Sequence, residues 1–270
     1  MTTSLVDVPQ NQQDNHQDFH EPDLPAILQI LTRIRSVVGI AFAIPFTLFC
    51  SLVCLTAGLF KVRQFFLTEI MRAWGFIVLY TFGIRVQSRG EKNIPGVGGG
   101  ILVFNHQSHF DIPVIISATR KNIRFGAKIE LFKIPFFGPA MRSVGTLPIA
   151  RESRSEVLRV YKEAEKKFAE NTIFALAPEG TRQKEPKIGR FKKGPFGFAI
   201  SGGVPIIPAV IRGAHAVLPK NSVSINVGKL RRTIYVEFLP AISTKEYTQD
   251  MVEALAERTR TEMEKAYNRG

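Results

Sequence analysis

Apolar and polar positions follow two different patterns along this chain. Residues 1–24 are polar, rich in Gln, Asn and Asp, and show no apolar periodicity, so the reading is a disordered acidic tail. Ser36 to Phe60 is then a run of 25 residues without a charge, long enough as a helix to reach about 37 Å against a hydrocarbon core of about 30 Å. Residues 65–83 make a second apolar, aromatic-rich helix with sparse charges. Pro45 and Gly58 are the positions at which the first run is expected to bend.

From residue 84 the pattern shortens. Ile101–Phe104, Ile123–Ala127, Ile173–Leu176, Ile206–Ile211 and Thr233–Phe238 read as strands, several apolar on both faces as strands of a covered parallel sheet are. Ser153 and Glu156 form a capping box ahead of Val157, Val160, Tyr161, Ala164 and Phe168 at helical spacing. Ser243 and Glu246 repeat that pattern before a C-terminal helix. The alternation predicts an α/β fold, a largely parallel sheet flanked by helices, preceded by a hydrophobic two-helix unit. The predicted organisation is tail 1–24, two-helix unit 25–83 and catalytic domain 84–270.

Charge changes this picture at the N-terminal unit. Arg33 and Arg35 flank one end of the uncharged run, and Lys61, Arg63 and Arg72 the other, so flanking cations set no orientation across a bilayer. Symmetric flanks favour a monotopic hairpin in one leaflet, with Trp74 and Tyr80 at the interface. A single span and a core hairpin of a soluble protein are the alternatives. The run starts late, is long and follows an acidic tail, so it reads as an anchor and not as a cleavable signal.

The net charge is +13, and the part after the acidic tail carries +18. Such a surface attracts phosphates on lipid headgroups, phosphorylated substrates or nucleic acid. No recognised nucleic-acid motif is present. The two cysteines, Cys50 and Cys54, lie one helical turn apart in the apolar run and read as packing residues, without the partners that a disulfide framework or a metal site requires.

The stretch richest in chemistry is Asn105-His106-Gln107-Ser108-His109-Phe110-Asp111, directly after the strand ILVF. The carboxyl end of a strand is where α/β proteins open their ligand crevice. Asp111 precedes Ile112-Pro113, a helix start, so the loop can fold back and bring carboxylate to imidazole, fixing the tautomer and leaving the other ring nitrogen to take a proton. His109 is a rival without an acidic partner at that spacing and reads as structural. No G-x-S-x-G elbow and no cysteine in this domain offers a nucleophile, so the simplest chemistry is direct attack by a substrate hydroxyl on an activated acyl group.

Pro178-Glu179-Gly180-Thr181-Arg182 again follows an apolar strand, with Gly180 allowing a tight turn beside a guanidinium suited to phosphate. Lys184, Lys187, Arg190, Lys192 and Lys193, against the single acid Glu185, extend an electropositive rim. Gly189 and Gly194 have Walker-A spacing, but Pro195 stands where the lysine is required, which rejects a nucleotide-binding P-loop. Lys128, the group Gly145, Ile149 and Arg151, and Val204-Pro205-Ile206-Ile207-Pro208 lie between and after these motifs.

In order and spacing the four elements resemble the glycerolipid acyltransferases typified by 1-acyl-sn-glycerol-3-phosphate acyltransferase, over roughly residues 84–215. The resemblance implies His106 and Asp111 as the catalytic dyad. It places Asn105, Arg151 and the loop Glu179, Gly180, Thr181, Arg182 at the substrate, with Lys128 as a further phosphate contact. It implies an acyl-CoA or acyl carrier protein donor, lysophosphatidic acid as acceptor, phosphatidic acid as product, no cofactor and no metal. It also implies an anionic membrane surface as partner, at the cytoplasmic face of a bacterial inner membrane. Ala177 and Gln183 depart from the usual residues around the third motif, with consequences for pocket shape. The alternatives are an acyltransferase for another lysolipid and a lipid esterase or phospholipase, since a His–Asp pair can also activate water; a non-enzymatic membrane-binding module leaves the His106/Asp111 loop unexplained.

Overall fold

The computed structural model describes residues 25–60 and 62–269; the expected tail, residues 1–24, lies outside them. Helix α1 (Ala26–Leu59) runs for 34 residues, about 51 Å. It starts ten residues before the uncharged run, and Arg35 in that added stretch folds onto the domain. Arg35 donates to the carbonyl oxygens of Asn226, Lys229 and Leu230, and the Ser36 hydroxyl donates to Ile225 at 2.7 Å. Pro45 sits inside the helix and does not interrupt it.

Helix α2 (Gln64–Thr81) returns beside α1. The Trp74 indole donates to the Thr47 hydroxyl at 2.9 Å, so Trp74 ties the two helices together instead of standing free at an interface. Tyr80 is 78% exposed, and Val37, Val38, Phe49, Phe65 and Phe76 are exposed with it. The pair is therefore not packed as a buried core hairpin: 17% of the most apolar stretch of α1 is buried. The inner faces pack closely. A Cβ on Gly58 of α1 would come within 2.5 Å of the Ser143 hydroxyl, in α4 (Phe137–Ser143).

The sheet has seven strands in the order β1 (Ile84–Arg89), β7 (Arg232–Phe238), β6 (Ile206–Arg212), β2 (Gly100–Phe104), β5 (Ile173–Leu176), β3 (Ile123–Lys128) and β4 (Leu147–Ile149). Among these seven strands the β6–β7 pairing is antiparallel and the others are parallel. The five expected strands are present, within a residue or so of their expected ends. Two strands are additional. β1 is an edge strand whose IRVQSR sequence is largely exposed, and β4 has only three residues, so neither carries the apolar run by which strands are read.

Alternation on β2 builds two cores. Leu102 and Phe104 face α2 and α3 (Asp111–Ala118), while Ile101 and Val103 face α6 (Gly194–Ser201) and α8 (Val252–Asn268). Ser153 caps α5 (Arg154–Ala164) as expected, accepting from the Glu156 N–H at 3.4 Å. The second capping pattern misleads: the Ser243 hydroxyl accepts from Lys245 N–H in a local turn, and the C-terminal helix opens only at Val252.

Candidate active site

β2 lies in the middle of the sheet, between β5 and β6, and ends at Phe104. The next residue anchors the loop. Asn105 is fully buried; its amide donates to the Ile211 carbonyl and its oxygen accepts from Ile211 N–H, both at 2.8 Å. Asn105, expected at the substrate, thus has both ends of its amide engaged by β6 and is not among the side chains lining the cleft. The Ser108 hydroxyl donates to Leu218 at 3.2 Å, and Gln107 bonds the Tyr267 hydroxyl of α8 at 3.0 Å.

Asp111, the first residue of α3, is buried completely. Its Oδ2 accepts the backbone N–H groups of Gln107 (2.8 Å) and Ser108 (3.0 Å) and stands 2.8 Å from His106 Nδ1. An oxygen that already takes two amide protons is an acceptor, so Nδ1 donates to it and Nε2 is the ring nitrogen left for another partner. The His106 side chain is 17% exposed, and it lines a cleft of about 620 Å³. Gln183 N–H donates to the His106 carbonyl at 2.8 Å, joining the two motif loops.

The remaining expected site residues separate into groups. Arg151 and Gly180 line the cleft with His106. Gly180 has φ +71°, a conformation that disfavours any side chain. Glu179 is 5% exposed and absent from the cleft lining, so it does not face the cleft as a ligand would. Burial pushes its carboxyl up to about 7, against the lowering effect of the Gln183 side chain and the backbone of Gly189 and His106. The Thr181 hydroxyl accepts from Lys220, which also donates to the Arg182 carbonyl at 2.9 Å.

Arg182 is half-buried and is not among the side chains lining the cleft; burial first, then the charges of Arg182 and His106, hold the His109 imidazole below its usual value. Lys128 is also outside the lining, with its ammonium 3.4 Å from Glu130. Sequence reasoning missed Gln107 and Lys220, since nothing local marks a residue whose partner lies 160 or 38 positions away. Among the described residues no three His, Cys, Asp or Glu side chains are grouped so as to hold a metal ion.

A second cavity of about 270 Å³ lies between the sheet and the α1–α2 pair. Its lining is apolar, with Ile70, Met71, Phe125 and Val144 among its walls, and it shares Ile112, Gly126 and Ala127 with the cleft. Cys50 and Cys54 line it, in keeping with a packing role.

Residues 85–212 match the family model described as Acyltransferase. The chain is 32% identical over 185 residues to the 1-acyl-sn-glycerol-3-phosphate acyltransferase of Escherichia coli, covering 68% of this chain and 73% of that protein. It is 35% identical over 180 residues to the chloroplastic enzyme of the same name from Brassica napus, covering 65% of this chain and 51% of the relative. The chain thus spans about half the length of the plant relatives it matches. The crystal structure of the Thermotoga maritima 1-acyl-sn-glycerophosphate acyltransferase has the same fold, with a TM-score of 0.69 at 23% identity over 87% of this chain and 98% of that one. With a shared fold, a family model across the central sheet and a relative 32% identical over nearly three quarters of its length, the chain belongs to the 1-acyl-sn-glycerol-3-phosphate acyltransferase family.

Proposed function

We propose that the protein transfers an acyl chain from an acyl-CoA or acyl carrier protein thioester to the free hydroxyl of 1-acyl-sn-glycerol 3-phosphate, giving phosphatidic acid. The observation that carries this reading is the 2.8 Å contact of His106 Nδ1 with a buried carboxylate, beside a cleft with a cationic wall. His106 Nε2 takes the proton as the acceptor oxygen attacks the thioester carbonyl carbon. The tetrahedral adduct then collapses, the C–S bond breaks, and the imidazolium returns its proton to the thiolate. Asp111 holds the ring and stabilises its charged form, so no acyl-enzyme is needed.

Arg151 and the 179–182 loop hold the acceptor's phosphate side of the cleft in this reading, with Glu179 supporting the loop from below. The apolar cavity accepts an acyl chain, since its walls offer almost no polar partner and it adjoins the cleft. Holding both reactants in one place can contribute about 7 to 11 kcal/mol to the barrier reduction. The exposed faces of α1 and α2 seat the enzyme in one leaflet of an anionic membrane, on the cytoplasmic side.

Thiol release, followed over a small grid of donors and lysolipid acceptors, tests the reaction. Turnover is expected with lysophosphatidic acid and a thioester together, and His106→Ala is expected to lower kcat by about 10²- to 10⁴-fold. Free fatty acid released from phospholipid without a thioester would support the esterase reading instead. Near-wild-type transfer by His106→Ala would remove the base assignment.

A further inference from the structure

The acceptor's phosphate needs a cation close to the base, because only a short C–C–O linkage separates the hydroxyl-bearing carbon of lysophosphatidic acid from its phosphorus. Of the residues carried over for that task, neither Lys128, whose ammonium is 3.4 Å from Glu130, nor Arg182 is among the side chains that line the cleft with His106. Another cation is better placed.

Lys192 lines that cleft. Its backbone N–H donates to the Pro178 carbonyl at 2.8 Å, which fixes it to the 178–182 loop. Its side chain lies across Gly180: a Cβ there would come within 2.9 Å of Lys192 Cε and 3.1 Å of Nζ. The same loop is tied to His106 through Gln183 N–H. Among the described residues no ion pair or side-chain hydrogen bond occupies the Lys192 ammonium, whereas its neighbour Lys193 is 2.7 Å from Glu253. Of these two adjacent lysines, one is neutralised and the other remains available for an anion.

We propose that Lys192, laid across Gly180, binds the phosphomonoester of the acceptor, sharing it with Arg151. The inference rests on the reading of the cleft as an acyltransferase site. It also gives Gly180 a second role besides its left-handed backbone, since a side chain at 180 would displace the lysine from the loop. A phosphodiester on the donor's carrier arm has the same chemistry, so the two sources must be separated by kinetics.

Initial rates of the purified full-length protein, with lysophosphatidic acid varied at saturating thioester and then the reverse, make that separation. Lys192→Ala is expected to raise KM for lysophosphatidic acid about tenfold or more, leaving KM for the donor and kcat within about threefold. Lys192→Arg is expected to recover most of the affinity. Monoacylglycerol, which lacks the phosphate, is expected to be used equally by wild type and Lys192→Ala. An unchanged acceptor KM, an equal loss on monoacylglycerol, or a rise in donor KM alone would each overturn the assignment, the last by giving Lys192 to the donor. If the wild type acylates no lysophosphatidic acid, the reaction assignment falls and this one with it, an outcome distinct from a normal wild type with an unaffected variant. Matching melting curves of wild type and variants guard against loss of fold.

Discussion

Glu179 shows how little of a residue's role its motif discloses. It belongs to the signature loop, yet its carboxyl is buried near another buried carboxylate, and burial raises its pKa to about 7. An acid whose pKa is higher in the folded than in the unfolded chain binds its proton more tightly when folded. Its contribution to stability is complete below the unfolded value of 4.5, declines as pH rises, and is lost above about 7. The difference corresponds to a few kcal/mol, on the order of 3, as an upper bound. Glu179→Gln keeps the shape without the charge, so its stability is expected to exceed that of the wild type increasingly between pH 5 and pH 8, on the order of 1 kcal/mol or more at the upper end. Denaturant midpoints across that range check this, and parallel pH profiles for the two proteins would show that Glu179 ionises normally.

At the scale of elements, the decisive contacts join the N-terminal helices to the sheet domain. Arg124 of β3 is buried, and its guanidinium donates to the Gln64 and Thr68 side chains of α2 at 3.0 Å each. α1 approaches α4 so closely at Gly58 that a side chain there would collide with Ser143. Gly58→Val is therefore expected to destabilise the fold by about 1 to 3 kcal/mol and to open the apolar cavity that α1 and α4 enclose, since Cys54 and Val144 are both in its wall. Thermal unfolding would register this, and a Tm equal to that of wild type would mean that the helices do not pack there in solution. The Ser243 pattern belongs to the same scale: a local capping signature is satisfied by a turn when the following residues, 249–251, form a 3₁₀ segment before the helix begins.

For the whole molecule, the arrangement is one-sided. The sheet domain buries its central strands on both faces, whereas the outer faces of α1 and α2 leave Val38, Phe49, Phe65 and Phe76 in the open. Exposed apolar side chains in such number, adjoining cationic flanks, suit a bilayer surface. Full-length protein is expected to sediment with anionic vesicles, and the paired substitution Val38→Asp and Phe49→Asp to weaken that partition at least tenfold, each side chain withdrawing about 1.5 to 3 kcal/mol of apolar burial. Unaltered sedimentation of the pair would place the membrane contact elsewhere. The apolar cavity opens between these helices and the sheet, so in this reading the lipid-facing unit also forms one wall of the acyl slot.

The chain's own pattern determined the fold class, five of the seven strands, both apolar helices and the proximity of His106 to Asp111. Each of these depends on local periodicity or on a loop of a few residues, in which chain connectivity itself limits the distance. Tertiary structure alone decided the rest. Asn105 is withdrawn from the cleft because its partner, Ile211, lies on the neighbouring strand, and Glu179 is buried by elements distant in sequence. Lys192 reaches the His106 cleft because the 178–182 loop folds back beneath it. Edge strand β1 and the three-residue β4 exist because a sheet already formed offers them free hydrogen-bonding groups. A sequence records which side chains are available for a site, but burial, pairing and exposure are properties of neighbours that only the folded chain brings together.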